Sequence, residues 1–406
     1  MASARAWLRG VGDTFRSARD RLLDHPWLTD RAVRLGHAEV DGDAMRHAIA
    51  VAESDASVGA DVLNLFAQRA VDDRRLFVAH RDALDRLSQL LTRPDDHARL
   101  SALVVGRRGS GRTSLLNILQ LRARERQVVR LDDSVLDRSG GLISALATEL
   151  HTKPEEGDVL EALSRLKPLV LIDNLGRFLS PTVESTEYLD RVLGLVAASS
   201  ASGAEWVVTI EYSLLQRLED VLTVNRVFNQ RVDLEPVEWR DLKAVMKART
   251  RLGGVKGEYD YFSRIERVLP GEPEDRYYKR LAHVSGGNLA AAMHAHRGAL
   301  FCDEHDVLHV RAPRAVTLPF IGDLAPLARA TLAVLYPFGP MNLAELAHAL
   351  GAPMDHLFRH VQSLRESGLI IDLKNQEGRV SIAPGLLESV RDELVRHRQI
   401  SGEGVR

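Results

Sequence analysis

The chain has 406 residues, 45% hydrophobic and 27% charged, with a net charge of −2. That is the make-up of a soluble globular protein of about two to four domains, and it excludes a global field drawing the molecule to nucleic acid, so any such contact needs a local basic patch. The lone cysteine, Cys302, excludes an internal disulfide framework and fits a reducing compartment; without a secretory pattern or an apolar run of about 18 residues, the cytoplasm is the expected location.

Residues 1–35 are Arg-rich, with Trp7, Leu8, Val11, Phe15, Leu22 and Leu23 spaced along one face of a helix. Such a segment suits a membrane surface or a protein partner. It equally suits a helix docked on its own chain, since Asp13, Asp20 and Asp24 break the basic face. Further helices are expected near 44–52 and 60–71, giving an N-terminal helical region over 1–75.

An amphipathic helix ending near Leu91 follows Phe77-Val78-Ala79-His80. Then LVVGRRGSGRTSLL, from Leu103 to Leu116, reads as a strand, a glycine-rich loop and a helix start. It fits the phosphate-binding pattern G-x-x-x-x-G-K-[ST] through Gly106, Gly111 and Thr113, with Arg112 in the lysine position. Gly109 and Gly111 let backbone N–H groups approach phosphates closely, with Ser110 between them. Thr113 offers the hydroxyl that ligates Mg²⁺ in such loops, and Ser114 lies one step beyond. Arg112 neutralises phosphate but is longer and planar where a compact point charge is usual. Only 7 of the 54 basic residues are Lys, which makes that exchange less surprising in this chain.

Strands are expected at 127–131, 169–172, 206–211 and 231–234, alternating with helices at 142–150, 156–165 and 186–198. This alternation predicts a parallel sheet covered on both faces. The strand Leu169-Val170-Leu171-Ile172 ends in Asp173, a candidate Mg²⁺-associated acid, or else a helix cap. Asn174 follows and cannot accept a proton. Thr209, Glu211 and Ser213 are candidates for a base or a nucleotide-sensing contact, and the pattern does not choose among them.

From Pro236 the strand signals stop. Residues 237–252, 259–268, 273–284 and 288–300 read as a helical block, with an extended piece at 305–310. The last 85 or so residues predict helices at 324–335, 343–350 and 354–367, short strands at 368–371 and 379–382, and a final helix over 385–398.

In this order the motifs resemble the AAA+ ATPases, in the branch of origin-recognition-type initiators and STAND-like regulators. FVAHRDALDRL is similar to that branch's F-V-G-R-E-x-E-L box through Phe77, Val78 and Leu84. GRRGSGRTS resembles its Walker A and LVLIDN its Walker B. VDLEPVEWRDLKAVMKAR is similar to the passage from core to lid. LAHVSGGNLAAAM resembles the lid's S-G-G-N-P-R segment, with Leu289 and Ala290 in place of Pro and Arg. The last 80 or so residues are similar to a winged helix.

The resemblance implies an α/β fold: a parallel-sheet P-loop NTPase core (76–235), a helical lid (236–315), N-terminal helices and a C-terminal winged helix-turn-helix (316–406). It implies ATP or ADP with Mg²⁺ held by Gly106, Gly109, Ser110, Gly111, Arg112, Thr113, Ser114 and Asp173. It also implies a homo-oligomer or a related AAA+ partner, with Arg226, then Arg231, offered as the arginine finger of a neighbouring site. Arg112, Asn174 and Ala290 stand where the family carries residues for hydrolysis and sensing, which predicts weak or absent turnover and leaves ATPase activity open. Helix 354–367 would present Arg359, His360, Gln362 and Ser363 to double-stranded DNA, with Lys374 and Arg379 on the wing. The alternatives are a degenerate-site interaction protein whose winged helix binds protein partners, with residues 1–75 as a further partner surface, and an ATPase in which Arg112 replaces the lysine competently.

Overall fold

The computed structural model describes residues 57–92, 99–132, 141–178, 183–219, 224–261, 272–314, 316–373 and 378–400. The expectations for 1–35 and 44–52 lie outside these residues.

Five short strands form one parallel sheet: β1 (Ser101–Gly106), β2 (Val128–Leu131), β3 (Leu169–Ile172), β4 (Glu205–Glu211) and β5 (Gln230–Asp233), in the order β2-β3-β4-β1-β5. Every residue of β1, β3 and β4 is buried, as expected of strands covered on both faces. Side chains alternate between two cores. Leu103, Val105, Val170, Ile172, Trp206 and Val208 face the helices Leu142–Glu149, Glu156–Leu166 and Val183–Ala201. Ala102, Val104, Leu169, Leu171 and Val207 face the helices Arg81–Leu91 and Arg112–Arg122. The chain thus has an α/β fold with a parallel sheet covered on both faces, as the alternation predicted.

The register lines the strand ends up. Gly106 pairs with Glu211, and Asp173 follows directly on β3, its N–H bonded to the Leu131 carbonyl at 2.9 Å. The phosphate-loop motif, the acidic strand end and Glu211 therefore share the C-terminal edge of the sheet, where ligands of open α/β sheets bind.

The block after Pro236 differs from its all-helical expectation. Helices Trp239–Leu252, Pro273–Ser285 and Leu289–Ala299 form as read, but Glu258–Tyr261 is a strand, β6, where a helix was expected from 259. It pairs in parallel with β8 (Leu308–Arg311), which pairs antiparallel with β7 (Leu300–Cys302). Tyr259 packs against both Tyr277 and Tyr278, its hydroxyl 2.7 Å from that of Tyr278. Cross-element aromatic packing thus overrides the local helical spacing.

The helix expected over 60–71 stops at Leu65, and the next residue, Phe66, is wholly buried in the core that holds Tyr277 and Tyr278. The C-terminal segment packs helices Pro326–Phe338, Leu343–Leu350, Met354–Glu366 and Leu387–Arg396 with an antiparallel sheet β10-β11-β9. Its strands are β9 (Met341–Asn342), β10 (Ile370–Asp372) and β11 (Arg379–Ile382). Asn342 and Glu345 form a reciprocal capping box at the second helix.

Candidate nucleotide-binding site

The loop leaving β1 has the backbone its glycines allow. Gly109 and Gly111 sit at φ of +82° and +106°, in the left-handed region that favours glycine. A side chain at Gly106 would place its Cβ 2.6 Å from Ser110 Oγ. Ser110 Oγ and Arg112 Nη1 are buried with no hydrogen-bond partner, and orphaned polar groups of this kind are costly unless a ligand supplies the missing partner. A phosphate fits that requirement, with acceptor oxygens for the guanidinium and the backbone N–H groups.

Burial pushes the Arg112 pKa down, while the charges of Glu211 and Asp173 oppose the shift. Glu211 is pushed up by burial against a hydrogen bond from Ser213 and the charge of Arg112. Glu211 also accepts the Leu214 N–H at 3.1 Å, so it caps helix Tyr212–Glu219 while facing the loop cation. Thr209 donates to Asp173 Oδ1 at 3.2 Å, and Ser213 spends its hydroxyl on Glu211. The three residues that sequence could not separate thus hold different posts, and only Thr209 touches the acidic strand end.

Thr113 is exposed, while Ser114 Oγ accepts the Val71 N–H at 3.0 Å and is occupied by the chain before the core. Asn174 takes a left-handed turn at φ of +79°. Its N–H donates to Thr209 Oγ1 at 2.8 Å and its Oδ1 accepts the Gly176 N–H at 3.2 Å. Arg231 is engaged by Asp233 at 2.9 Å and Glu219 at 3.5 Å. Arg226 falls on helix Val224–Val227, and its side chain lies outside the described residues.

The segment at Asn288 and Ala290 packs directly on the loop. Ala290 N–H bonds the Gly109 carbonyl at 3.1 Å, and Asn288 Nδ2 donates to the Arg108 carbonyl at 2.7 Å. Four residues that sequence reasoning missed complete this packing. His80 Nε2 donates to the Ser110 carbonyl at 2.9 Å, and burial pulls its pKa down. Arg108 reaches the C-terminal segment, donating to the Leu335 carbonyl at 3.0 Å and Ser381 Oγ at 2.8 Å. Arg107 lies 3.7 Å from Glu388, which also accepts from Asn288 Nδ2 at 2.8 Å. Glu388 thus joins Arg107 and Asn288 to its own helix neighbour Arg391. No local signal marks Arg107 or Arg108, because Glu388, Leu335 and Ser381 lie 100 residues or more away in the chain. His80 had one, a polar residue inside the FVAH box.

Mg²⁺ is implied by the resemblance, and the donor set here does not fit a resident metal as it stands. Asp173 Oδ2 is paired with Arg130 at 3.0 Å and Oδ1 accepts from Thr209. Among the described residues no three His, Cys, Asp or Glu side chains converge on a metal position.

On helix Met354–Glu366, Arg359 and Ser363 are exposed while His360 and Gln362 are half-buried. Gln362 accepts from Arg365, which also pairs with Asp372 at 2.6 Å. Arg379 is held by Glu345 at 2.9 Å and the Pro340 carbonyl at 3.1 Å, so its charge is used within the segment. Lys374 lies outside the described residues. Met354 and Phe358, one turn apart, are 52% and 48% exposed, an apolar pair that sequence reasoning did not place on the outer face.

No family model matches the chain, and no curated protein matches it. Solved structures resemble it distantly. Cdc6p from Pyrobaculum aerophilum is 15% identical over 83% of this chain and 98% of that one, with a TM-score of 0.37. The RuvB Holliday junction branch migration motor of Thermotoga maritima is 17% identical over 76% and 94%, at 0.35. The ORC1 protein of Aeropyrum pernix, solved in complex with DNA, is 15% identical over 83% and 96%, at 0.37. Likenesses this distant assign no role, and the fold stands on the chain's own strand order and loop. No helix among the described residues is long and apolar enough to cross a membrane.

Proposed function

We propose that this chain is a nucleotide-binding P-loop switch that holds ATP or ADP and hydrolyses it weakly or not at all. The observation that carries the reading is the pair of buried, unpartnered groups Ser110 Oγ and Arg112 Nη1 on a left-handed glycine loop at the C-terminal edge of the sheet. Gly106, Gly109, Gly111 and Thr113 complete the cradle. The lid segment at Asn288–Leu289–Ala290 covers it. The weak hydrolysis rests on Asn174, which has no proton-accepting group and whose side chain is spent on Gly176. We divide the described chain into a core to about 235, a lid to about 315 and a winged helix beyond.

Calorimetric titration of the purified chain with ATP and with ADP tests this, with mass photometry alongside to read association. Binding of at least one nucleotide is expected; binding of neither sinks the reading. Association that depends on nucleotide and is lost in Arg226→Ala would support a shared interface.

The winged helix engages double-stranded DNA through the outer face of helix Met354–Glu366, with Arg359 and Ser363 as its exposed polar contacts. Salt-dependent binding to a duplex is expected, and Arg359→Ala should lower the slope of log K against log salt by about 1. One observation favours a second reading. The exposed Met354 and Phe358 suit a protein partner, and absence of duplex binding even at low salt would move the assignment there.

A further inference from the structure

We propose that Arg130 takes the place of the divalent metal at this site, holding Asp173 with one edge of its guanidinium and offering the other to a nucleotide phosphate, so that ATP binds without Mg²⁺. This rests on the nucleotide reading above.

The placement follows from the strand. Val129 and Leu131 of β2 face one core and Val128 faces the other. Period-two alternation therefore turns Arg130 toward the side carrying the phosphate-loop helix Arg112–Arg122. There its Nη2 donates to Asp173 Oδ2 at 3.0 Å and lies 3.4 Å from Asn117 Oδ1. Asn117 is four residues beyond Thr113, one turn along that helix and on the same face. Arg130 is thus wedged between the acidic strand end and the helix that springs from the loop. Its side chain and that of Asp173 are each 14% exposed.

Two further observations point to a ligand. Arg130 Nη1 is buried and has no hydrogen-bond partner. Arg112 Nη1, in the loop, is in the same condition, and the Asp173 charge acts on both arginines. Two guanidinium groups with an unspent N–H each therefore feel the charge of one carboxylate at the sheet edge, and Arg130 is bonded to it. A guanidinium fork can serve a carboxylate and a phosphate at once, which an ammonium point charge does less well.

A bound triphosphate beside Asp173 brings like charges together. Usually a divalent cation relieves this repulsion, and here a cation already sits on the carboxylate. Nothing in the short strand VVRL except this one charge among apolar residues announces it.

The test is calorimetric titration of the full chain with ATP, once in excess EDTA and once in excess MgCl₂. Wild type is expected to bind in EDTA within about threefold of its affinity in Mg²⁺. Arg130→Gln is expected to lose about tenfold or more in EDTA and to recover with Mg²⁺, because Asp173 is then uncompensated and free for the metal. Arg130→Gln with Asp173→Asn should regain binding in EDTA, since no carboxylate charge is left to neutralise. Wild-type binding that requires Mg²⁺ would overturn the proposal and leave the nucleotide reading standing. Equal behaviour of Arg130→Gln and wild type in both buffers would reduce Arg130 to a structural ion pair and also overturn it. Absence of ATP binding in both buffers overturns the proposal, and the nucleotide reading falls with it when ADP does not bind either. The wild-type comparison needs no variant, so a misfolded Arg130→Gln does not shelter the proposal.

Discussion

Asn288 joins three parts of the chain at one buried amide, and replacing it measures how firmly they are joined. Its Oδ1 accepts the Ala291 N–H at 3.1 Å, capping helix Leu289–Ala299. Its Nδ2 donates to the Arg108 carbonyl at 2.7 Å and to Glu388 Oε1 at 2.8 Å, and the residue is 4% exposed. Asn288→Ala removes the cap, worth about 1 kcal/mol. It also leaves a buried carbonyl and a carboxylate oxygen short of a donor, worth about 1–3 kcal/mol. The expected loss is about 2–4 kcal/mol. Asn288→Asp is the decisive variant, because Asp caps helices as well as Asn does. It loses both donors and sets a second carboxylate against Glu388, so it should be at least as damaging as alanine. The assay is guanidinium denaturation followed by circular dichroism and tryptophan fluorescence. The midpoint of the first transition is the quantity to compare, since a chain of several cores does not unfold in one step. Stability of Asn288→Asp within about 0.5 kcal/mol of wild type would show that only the cap matters and would refute the three-way joint.

Gly109→Ala puts a Cβ at φ of +82° and 2.7 Å from Ala290 Cβ. It should abolish nucleotide binding in calorimetry and cost about 1–3 kcal/mol in denaturation. His296 is 1% exposed, and burial pulls its pKa from 6.5 to about 3. The unfolded chain therefore takes up this proton first as pH falls, so the contribution of the neutral ring is complete above pH 6.5 and is lost from there toward pH 3. Between pH 7 and pH 5 about 2 kcal/mol should go, and His296→Gln, which can still accept from Tyr277, should flatten that part of the stability–pH curve. Trp206 is wholly buried in β4 with its indole N–H on Ser199 Oγ at 2.9 Å, so Trp206→Ala should cost about 3–5 kcal/mol in the same denaturation assay.

What was legible in the sequence was local. Gly106, Gly109 and Gly111 are spaced as a phosphate loop demands, and their backbone angles require glycine at two of the three. The strands Ser101–Gly106, Leu169–Ile172 and Glu205–Glu211 could be read because each is largely apolar and buried on both faces. The segment Ser285–Gly286–Gly287–Asn288 stood out by its pattern, and Asn288 reaches the loop. What escaped depends on partners distant in the chain. Arg107 and Arg108 fall on unspecified positions of the loop pattern, yet their partners are Glu388, Leu335 and Ser381. Arg379 looked like a free wing cation, yet Glu345 holds it. The strand at Glu258–Tyr261 was hidden because its stability comes from Tyr277 and Tyr278 and from pairing with β8. Period alone cannot report a neighbour that the chain reaches later.

The left-handed turn at Asn174 has a bearing on which side chains that position can carry. A glutamate there would have to adopt φ of +79°, which costs a side chain other than Gly, Asn or Asp about 1–2 kcal/mol. It would also forfeit the Asn174 Oδ1 contact that orders Gly176. A glutamate placed there by one substitution therefore brings in a carboxylate and unsettles the main chain that must aim it, so a well-aimed acid at this position calls for two changes, one in the side chain and one in the turn.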